Sequence, residues 1–366
     1  MSLFRPALEG LVPYEPGKPE EELQRELGLE RVVKLASNEG PWGPLPAALK
    51  ALERSAGALN RYPDGGAFHL RQALAERHSV GPEQVVTGAG ADAIIGHLSV
   101  AALDPGDEVV TGWPSFISYA LDARKVGGVP VCVPLRDHHL DLKAMLAAIT
   151  ARTKLVYIAT PNNPTGTMTG RAELDDYFER VPEHVLTVVD QAYFEYIGEP
   201  GYPDAVEEYL KAGRRVLVLR TFSKIYGLAG LRVGYGVGPP DVIQGIAKIR
   251  RAFDVNTQAQ VAALASLDDD GELARRRRLT AEGRATLELT LREHGLEPVG
   301  PAVANFLFAE VGDDATPLFE ALLRQGAIVR PMSSFGAPGA LRITVGTPEE
   351  NAFFADALAA VRAAAV

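Results

Sequence analysis

Lys224 is the residue whose type and position most directly suggest covalent chemistry. It follows the apolar run 216–219, which predicts a buried strand, and it precedes a glycine-punctuated loop. A lysine amine attacks carbonyl carbon when its ammonium form is partly desolvated or lies near other cations, and Schiff-base formation with pyridoxal phosphate is the commonest use of that chemistry. Ser223 and Arg232 supply a hydroxyl and a cation suited to a phosphate. Most lysines are plain surface residues, so the rest of the chain has to decide.

Other groups able to do chemistry also follow predicted strands. The glycine-rich turn 88–92 leads into a predicted helix, whose free backbone amides favour an anion. Phe116 can stack on a planar ring, although core packing explains it equally well. Asn163, in a Pro-Asn-Asn-Pro-Thr-Gly turn, offers an amide donor to a phenolate or carboxylate. Asp190 ends an apolar run and needs a cationic partner such as a pyridinium nitrogen, and Tyr193 follows it closely.

These groups need a scaffold that brings strand ends together. Apolar runs that alternate with amphipathic segments predict an α/β fold with a mainly parallel sheet, in which ligands bind beyond the carboxyl ends of the strands. The predicted strands of this sheet are residues 84–87, 108–111, 129–133, 154–160, 185–190 and 215–220. The predicted helices include residues 68–77 and 91–103.

The sequence pattern changes after about residue 240, which predicts a second domain. A long charged helix over 273–294 is followed by short strands at 303–309, 327–330 and 341–345, which indicates a smaller α+β domain. A helix over 241–253 is expected to join the two units. We therefore predict an N-terminal arm over 1–45, a large domain over 46–250, and a small C-terminal domain over 251–366 that the arm completes.

Composition favours an enzyme and argues against several other classes. The 366 residues carry a net charge of -10, which disfavours nucleic-acid and anionic-membrane surfaces. Cys132 is the only cysteine, so no intrachain disulfide and no cysteine-based metal cluster is expected. Residues 1–19 contain no continuous apolar stretch of the kind found in signal peptides, and no run approaches the ~18 apolar residues of a membrane span. These features predict a cytoplasmic protein without a metal site.

The order and sequences of the motifs resemble those of the fold-type I pyridoxal-phosphate-dependent aminotransferases, and within them those of the histidinol-phosphate aminotransferase family. The resemblance covers nearly the whole chain. It is carried by residues 13–17 (PYEPG), 35–39 (LASNE), 61–64 (RYPD), 88–92 (GAGAD), 161–166 (PNNPTG), 190–193 (DQAY), 221–236 and 341–351 (LRITVGTPEEN). So many motifs in the right order are improbable by chance, and they favour a chemical role for Lys224 over that of an ordinary surface lysine.

The resemblance implies pyridoxal 5'-phosphate as cofactor and assigns its contacts. It makes Lys224 the covalent attachment point and proton-moving base, and it makes Asp190 the partner of the ring nitrogen. Asn163 and Tyr193 are implied as partners of the phenolic oxygen of the ring, and Phe116 as the stacking ring. The remaining implied contacts, to the phosphate, are Gly90, Ala91, Asp92, Ser223, Arg232 and, from a neighbouring subunit of a homodimer, Tyr62.

For the amino donor and the 2-oxo acid acceptor, the resemblance implies two arginines. Arg342 is expected to take the α-carboxylate in a two-point contact, and Arg330 to take the phosphate of one substrate and the distal carboxylate of the other. Asn38 and, from the partner's arm, Tyr14 complete the implied substrate site. The chain departs from the family pattern at Gln191 and Ala93, where an acidic residue is usual, and at 251–256, which lacks the usual proline and asparagine.

Several alternatives remain open at this point. An aromatic amino-acid aminotransferase of the same lineage or a threonine-phosphate decarboxylase shares much of the motif set. A non-enzymatic aminotransferase-like regulator domain needs an additional basic DNA-binding module, which the acidic composition disfavours. A dinucleotide-binding oxidoreductase fits the parallel sheet but explains neither Lys224 nor Asp190.

Overall fold

The computed structural model describes residues 3–11 and 19–364. Its α-helices are α1 (Glu20–Leu27), α2 (Pro46–Ser55), α3 (Phe68–His78), α4 (Ala91–Ala102), α5 (Ser118–Val126), α6 (Leu142–Ala147), α7 (Arg171–Arg180), α8 (Pro240–Ile249), α9 (Thr257–Ser266), α10 (Asp270–Glu293), α11 (Thr316–Arg324) and α12 (Pro348–Ala364). Its strands are β1 (Val33–Lys34), β2 (Val85–Gly88), β3 (Glu108–Trp113), β4 (Val129–Pro134), β5 (Thr153–Ala159), β6 (Leu186–Asp190), β7 (Val216–Thr221), β8 (Gly234–Val237), β9 (Glu297–Pro298), β10 (Phe306–Glu310), β11 (Ala327–Ile328), β12 (Arg330–Pro331) and β13 (Ala340–Thr344).

A seven-stranded sheet organises the first two thirds of the chain. Its strand order is β2-β8-β7-β6-β5-β3-β4, and only β8 runs antiparallel to its neighbours. Strands β6 and β7 are buried along their whole length, which explains why both read as continuous apolar runs rather than alternating ones. Because β2, β5, β6 and β7 run in the same direction, their carboxyl ends meet at one edge of the sheet.

A second, antiparallel sheet of order β12-β13-β10-β9 lies in the C-terminal third. Its core contains residues of α10, α11 and α12 together with Val33 and Leu35 from near the N-terminus. Strand β1 pairs in parallel with β11, so the segment after α1 is tied to this smaller unit. The predicted boundary after residue 250 stays a prediction; the core on one face of the large sheet includes residues as far along the chain as Phe306.

The α/β architecture and most predicted strands are confirmed, with three local differences. The predicted helix over 241–253 ends at Ile249, since Arg250, with a ψ of 140°, no longer has a helical conformation. The predicted strand over 327–330 divides into β11 and β12, which join different sheets. Strand β8 was not among the predicted strands. No helix of the described residues combines the length and apolarity needed to cross a membrane.

Candidate active site

A cavity of about 220 Å³ lies at the carboxyl edge of the large sheet, where the smaller sheet faces it. Its walls come from the ends of β2, β5, β6 and β7, from the start of α4, and from β12 and β13. The predicted site residues that line it are Asn38, Gly90, Ala91, Asp92, Phe116, Asn163, Asp190, Tyr193, Ser223, Lys224, Arg232, Arg330 and Arg342. Residues from distant parts of the sequence therefore converge on one space, although their individual roles stay predictions.

Lys224 follows the end of β7 and extends its amine into the cavity. Its Nζ donates a hydrogen bond of 3.4 Å to the Ser37 carbonyl oxygen and lies 5.7 Å from the centre of the Tyr193 ring. Burial, together with the nearby Arg342 and Arg232 guanidiniums, lowers the pKa of the Lys224 amine to about 8, against the opposing effect of nearby carboxylates. Such an amine is partly unprotonated near neutral pH, which is the condition for nucleophilic attack.

Asp190, the last residue of β6, presents a buried carboxylate to the cavity. Its Oδ2 accepts a hydrogen bond of 2.6 Å from the Tyr119 hydroxyl, and its Oδ1 accepts one of 3.0 Å from the Ala192 amide. Burial raises the pKa of this carboxyl, and these two hydrogen bonds oppose that rise. No ion pair to Asp190 occurs within 3–11 and 19–364. A buried carboxylate of this kind suits a cationic ligand atom.

The glycine-rich turn after β2 forms the anion-binding part of the cavity. Gly90 has a φ of +85° and precedes the first turn of α4 without a side-chain cap, so the helix dipole points at the cavity. A Cβ built on Gly90 would lie 2.7 Å from Nη2 of Arg232, whose guanidinium packs against this turn. The Arg232 Nη1 also donates to the Ser223 hydroxyl at 3.3 Å. Together these groups form a cradle that suits an anion such as a phosphate.

Asn38 and Tyr193 join the two sheets by hydrogen bonds. The Asn38 amide Nδ2 donates to the Tyr193 hydroxyl at 2.9 Å, and its Oδ1 accepts from the Thr344 hydroxyl at 3.1 Å. Asn38 adopts the left-handed φ of +54°, which asparagine tolerates better than most residues. Burial raises the pKa of the Tyr193 phenol, and Arg342 and the Asn38 hydrogen bond oppose this. The phenol is therefore held protonated at neutral pH.

Two arginines face the cavity from opposite positions on neighbouring antiparallel strands. Arg330 of β12 and Arg342 of β13 are direct cross-strand partners. Arg342 donates from Nη1 to Oδ1 of Asn163 at 2.5 Å and from Nη2 to the Ala36 carbonyl at 2.7 Å. Like charges placed directly opposite each other are destabilising, and an anion in the cavity would offset this repulsion. The pair therefore favours a ligand that carries negative charge.

Two predicted contacts lie outside this cavity. Tyr62 is 82% exposed and stacks on Phe253, with ring centroids 4.6 Å apart. It does not line the cavity of its own chain, so its predicted contribution to a neighbouring subunit stays a prediction. Tyr14 lies outside the described residues. Phe116, the predicted stacking ring, lines the cavity.

Sequence reasoning missed Tyr119, which lines the cavity and contacts Asp190. Its position in the first turn of α5, shortly after Phe116, was the available signal. A tyrosine on a helix facing a sheet usually indicates core packing, and this ring does stack on Tyr157 at 4.4 Å. Only the three-dimensional placement of the hydroxyl distinguishes a role in core packing from a contact with Asp190. Ile117 and Phe335 also line the cavity and were not predicted; they form an apolar wall near the arginines.

Comparisons with known proteins identify the family of this chain. A sequence model described as aminotransferase class I and II matches residues 30–358. A histidinol-phosphate aminotransferase of Moorella thermoacetica is 45% identical over 355 residues, which cover 97% of this chain and 92% of that protein. A protein named histidinol-phosphate aminotransferase 2 from Pseudomonas fluorescens Pf0-1 is 45% identical over 365 residues, covering 99% and 98% of the two chains.

Solved structures extend the comparison. The histidinol-phosphate aminotransferase of Sinorhizobium meliloti, in complex with pyridoxal-5'-phosphate, superposes with a TM-score of 0.88 at 29% identity, covering 100% of this chain and 99% of that one. The aspartate aminotransferase of Thermus thermophilus with maleate has a TM-score of 0.85 at 26% identity, covering 99% and 100%. Both share the fold found here.

Proposed function

This chain belongs to the aminotransferase class I and II family, and we propose that it transfers the amino group of histidinol phosphate to 2-oxoglutarate in histidine biosynthesis. The observation that carries the substrate assignment is the pair Arg330 and Arg342, which face one cavity from opposite cross-strand positions. Relatives named histidinol-phosphate aminotransferase at 45% identity over nearly the whole chain support it.

The residues present fit pyridoxal 5'-phosphate, the cofactor of this family. The cradle of Gly90, Ser223 and Arg232 suits its phosphate, and the buried Asp190 carboxylate, without an ion pair in the described chain, suits a protonated ring nitrogen. Phe116 would lie against the ring, and Asn163 and Tyr193 would bind its phenolic oxygen. When bound, the cofactor supplies an electron sink for charge that develops at the substrate α-carbon.

Lys224 performs the proton transfers of the proposed reaction. Its unprotonated amine would hold the cofactor covalently, and the free amine would take up the proton that leaves the substrate α-carbon. The lowered pKa of its amine suits both tasks, because the ideal base titrates near the operating pH. The Ser37 carbonyl and the Tyr193 ring hold the free amine within the cavity.

Arg330 and Arg342 divide the recognition of two different substrates. Glutamate has two carboxylates, so Arg342 takes the α-carboxylate and Arg330 the distal one. Histidinol phosphate has no α-carboxylate, and Arg330 takes its phosphate. A guanidinium suits both anions because its planar fork binds carboxylate and phosphate oxygens in pairs. Asn38 keeps Tyr193 oriented beside this site, and Tyr14 is proposed to reach it from the partner subunit.

A substrate panel tests this assignment. Histidinol phosphate, phenylalanine, tyrosine and aspartate are each paired with 2-oxoglutarate, and the specificity constants kcat/KM are compared. We expect histidinol phosphate to exceed the other donors by at least about tenfold, the value of one charge-assisted contact. A preference for phenylalanine or tyrosine by that margin would replace the proposal with an aromatic aminotransferase. Aspartate as the best donor would instead match the aspartate aminotransferase structure.

We further propose that the active enzyme is a homodimer with shared active sites. Apolar side chains are exposed around Tyr62, and isolated large apolar patches on a soluble protein commonly mark interfaces. Tyr62 stacks on Phe253, and these two side chains, like Leu59 and Phe68 close to Tyr62 in the sequence, are between 43% and 82% exposed. A second copy of the chain would cover the patch and receive Tyr62 in its cavity.

Hybrid dimers test the sharing of sites. Tyr62→Ala and Lys224→Ala chains, each of low activity alone, are mixed under conditions of subunit exchange. We expect activity to return, because one site of each hybrid has Lys224 from one chain and Tyr62 from the other. A Tyr62→Ala chain with full activity, or a monomer in sedimentation, would contradict the proposal.

The proposed cytoplasmic location, which the single Cys132 suits, is tested by fractionating cells.

A further inference from the structure

Tyr119 has a hydroxyl that the functional assignment above leaves without a role. The residue lies in the first turn of α5, is 1% exposed, and donates a hydrogen bond of 2.6 Å to Oδ2 of Asp190. Hydrogen bonds from a hydroxyl to a carboxylate at this length are charge-assisted and about twice as strong as neutral ones. Both groups line the cavity.

The surroundings of Tyr119 fix the direction of this hydrogen bond. Its ring stacks on Tyr157 with centroids 4.4 Å apart and an interplanar angle of 12°, and it meets Phe116 edge to face at 5.6 Å. Burial raises the pKa of the Tyr119 phenol well above its ordinary value, and the adjacent Asp190 raises it further. The hydroxyl therefore stays protonated and donates, while the ring cannot rotate its oxygen away from Asp190.

We propose that Tyr119 is a positioning residue that holds the proton on the ring nitrogen of the bound cofactor rather than on Asp190. The inference rests on the proposed contact between Asp190 and that nitrogen. Two buried groups that share one proton divide it according to their relative basicity. A hydroxyl that donates to the carboxylate stabilises the anion, so the proton moves toward the nitrogen. The Ala192 amide acts in the same direction on the other carboxylate oxygen.

The sequence offers a matched control in Tyr157. It is as buried as Tyr119, belongs to the same ring stack, and its hydroxyl makes no hydrogen bond to Asp190 or to any other described residue. Tyr157→Phe and Tyr119→Phe each delete one buried hydroxyl and keep the ring. They differ in whether the Asp190 carboxylate loses a donor, which separates an effect on the proton from an effect on packing.

The experiment compares the binding of two cofactor probes to the apo-protein. One is pyridoxal phosphate, and the other is its 1-deaza analogue, in which a carbon replaces the ring nitrogen. We expect Tyr119→Phe to lower the affinity ratio of pyridoxal phosphate to the analogue about tenfold. Pyridoxal phosphate with a protonated ring nitrogen binds to the anionic form of Asp190, whereas the analogue allows Asp190 to be neutral, and a hydrogen bond to an anion stabilises more than one to a neutral acid. Tyr157→Phe is expected to leave the ratio unchanged. An equal loss for both probes in Tyr119→Phe would overturn the proposal.

Two further variants make the result decisive. Replacing Tyr119 with 3-fluorotyrosine keeps the ring and makes the hydroxyl a stronger donor, so the affinity ratio of pyridoxal phosphate to the analogue is expected to rise above that of the unmodified protein. A fall in this ratio would contradict the proposal. This test remains available if Tyr119→Phe fails to fold. Asp190→Asn should abolish the preference for the nitrogen-containing probe. If it does not, the Asp190 assignment fails and the Tyr119 inference with it, whereas a failure of Tyr119→Phe alone leaves the proposed function intact.

Discussion

The two halves of the cavity are built in different ways. The proposed cofactor half lies on the large sheet, where Asp190, Ser223 and Lys224 each lie at or just after the carboxyl end of a parallel strand. The proposed substrate half lies on the small antiparallel sheet, where Arg330 and Arg342 meet only because β12 and β13 pair in one register. The topology of the sheet brings the strand ends together, and this placement tolerates small shifts of a strand. Cross-strand partners depend on the register of the two strands, and a shift of one residue turns a side chain to the opposite face of the sheet.

This difference predicts where substitutions act. Changes in the cofactor half should affect every substrate equally, because all substrates react through the same cofactor. Changes in the substrate half should discriminate between substrates that carry different anions. Variants in each half of the cavity test this separation.

Lys224→Ala should have the largest effect. Turnover with every donor is expected to fall by more than the ~10²–10⁴-fold that a positioned general base alone supplies, because the variant also loses the covalent bond to the cofactor. Borohydride reduction followed by mass spectrometry should find no cofactor attached to the variant. Normal activity in this variant would end the proposed mechanism.

The pH dependence of covalent capture provides a second measure of Lys224. The protonated amine cannot attack, so the rate at which the apo-protein captures pyridoxal phosphate should rise with pH and level off above about 8, the value to which burial lowers the pKa of this amine. A midpoint near the ordinary lysine value of 10.5 would contradict the desolvated environment.

Asp190→Asn should rank second. The variant is expected to keep the covalently bound cofactor, because Lys224 and the phosphate cradle are untouched, while kcat falls ~10²–10³-fold, the typical cost of removing one preorganised electrostatic contact. The loss should be similar for glutamate and for the second substrate. A loss confined to one of them would place Asp190 in substrate recognition and break the separation of the two halves.

The sequence predicted the cofactor half more completely than the substrate half. Lys224, Asp190 and the turn at Gly90 could be found because each follows an apolar strand and carries a local signal, a buried charge or a glycine. The pairing of Arg330 with Arg342 could not, because register depends on how two distant segments meet. Tyr119 was missed for a related reason: its ring belongs to the core, and only its hydroxyl reaches Asp190.

The arginine variants should have intermediate, substrate-dependent effects. Arg342→Lys is expected to lower kcat/KM for the glutamate half-reaction about 10- to 100-fold and to affect histidinol phosphate much less, because only glutamate has an α-carboxylate. Arg330→Ala should lower both by a similar factor, since it removes the contact with the phosphate and the distal carboxylate. Single-turnover measurements of each half-reaction test this directly. Equal losses for both substrates in Arg342→Lys would contradict the division of roles.

Gly90→Ala should have the smallest effect and tests the phosphate cradle. The new Cβ would lie 2.7 Å from Nη2 of Arg232, so the guanidinium has to move away from the turn. We expect the affinity for pyridoxal phosphate to fall about tenfold, roughly one charge-assisted hydrogen bond, with substrate KM values unchanged once the cofactor is saturating. Gly213→Ala is the control, because Gly213 has a similar φ of +79° with open space around its Cβ. Backbone strain alone would destabilise both variants alike in thermal unfolding, whereas only displacement of Arg232 weakens cofactor binding. If Gly213→Ala lost as much affinity as Gly90→Ala, the cradle would not be the cause.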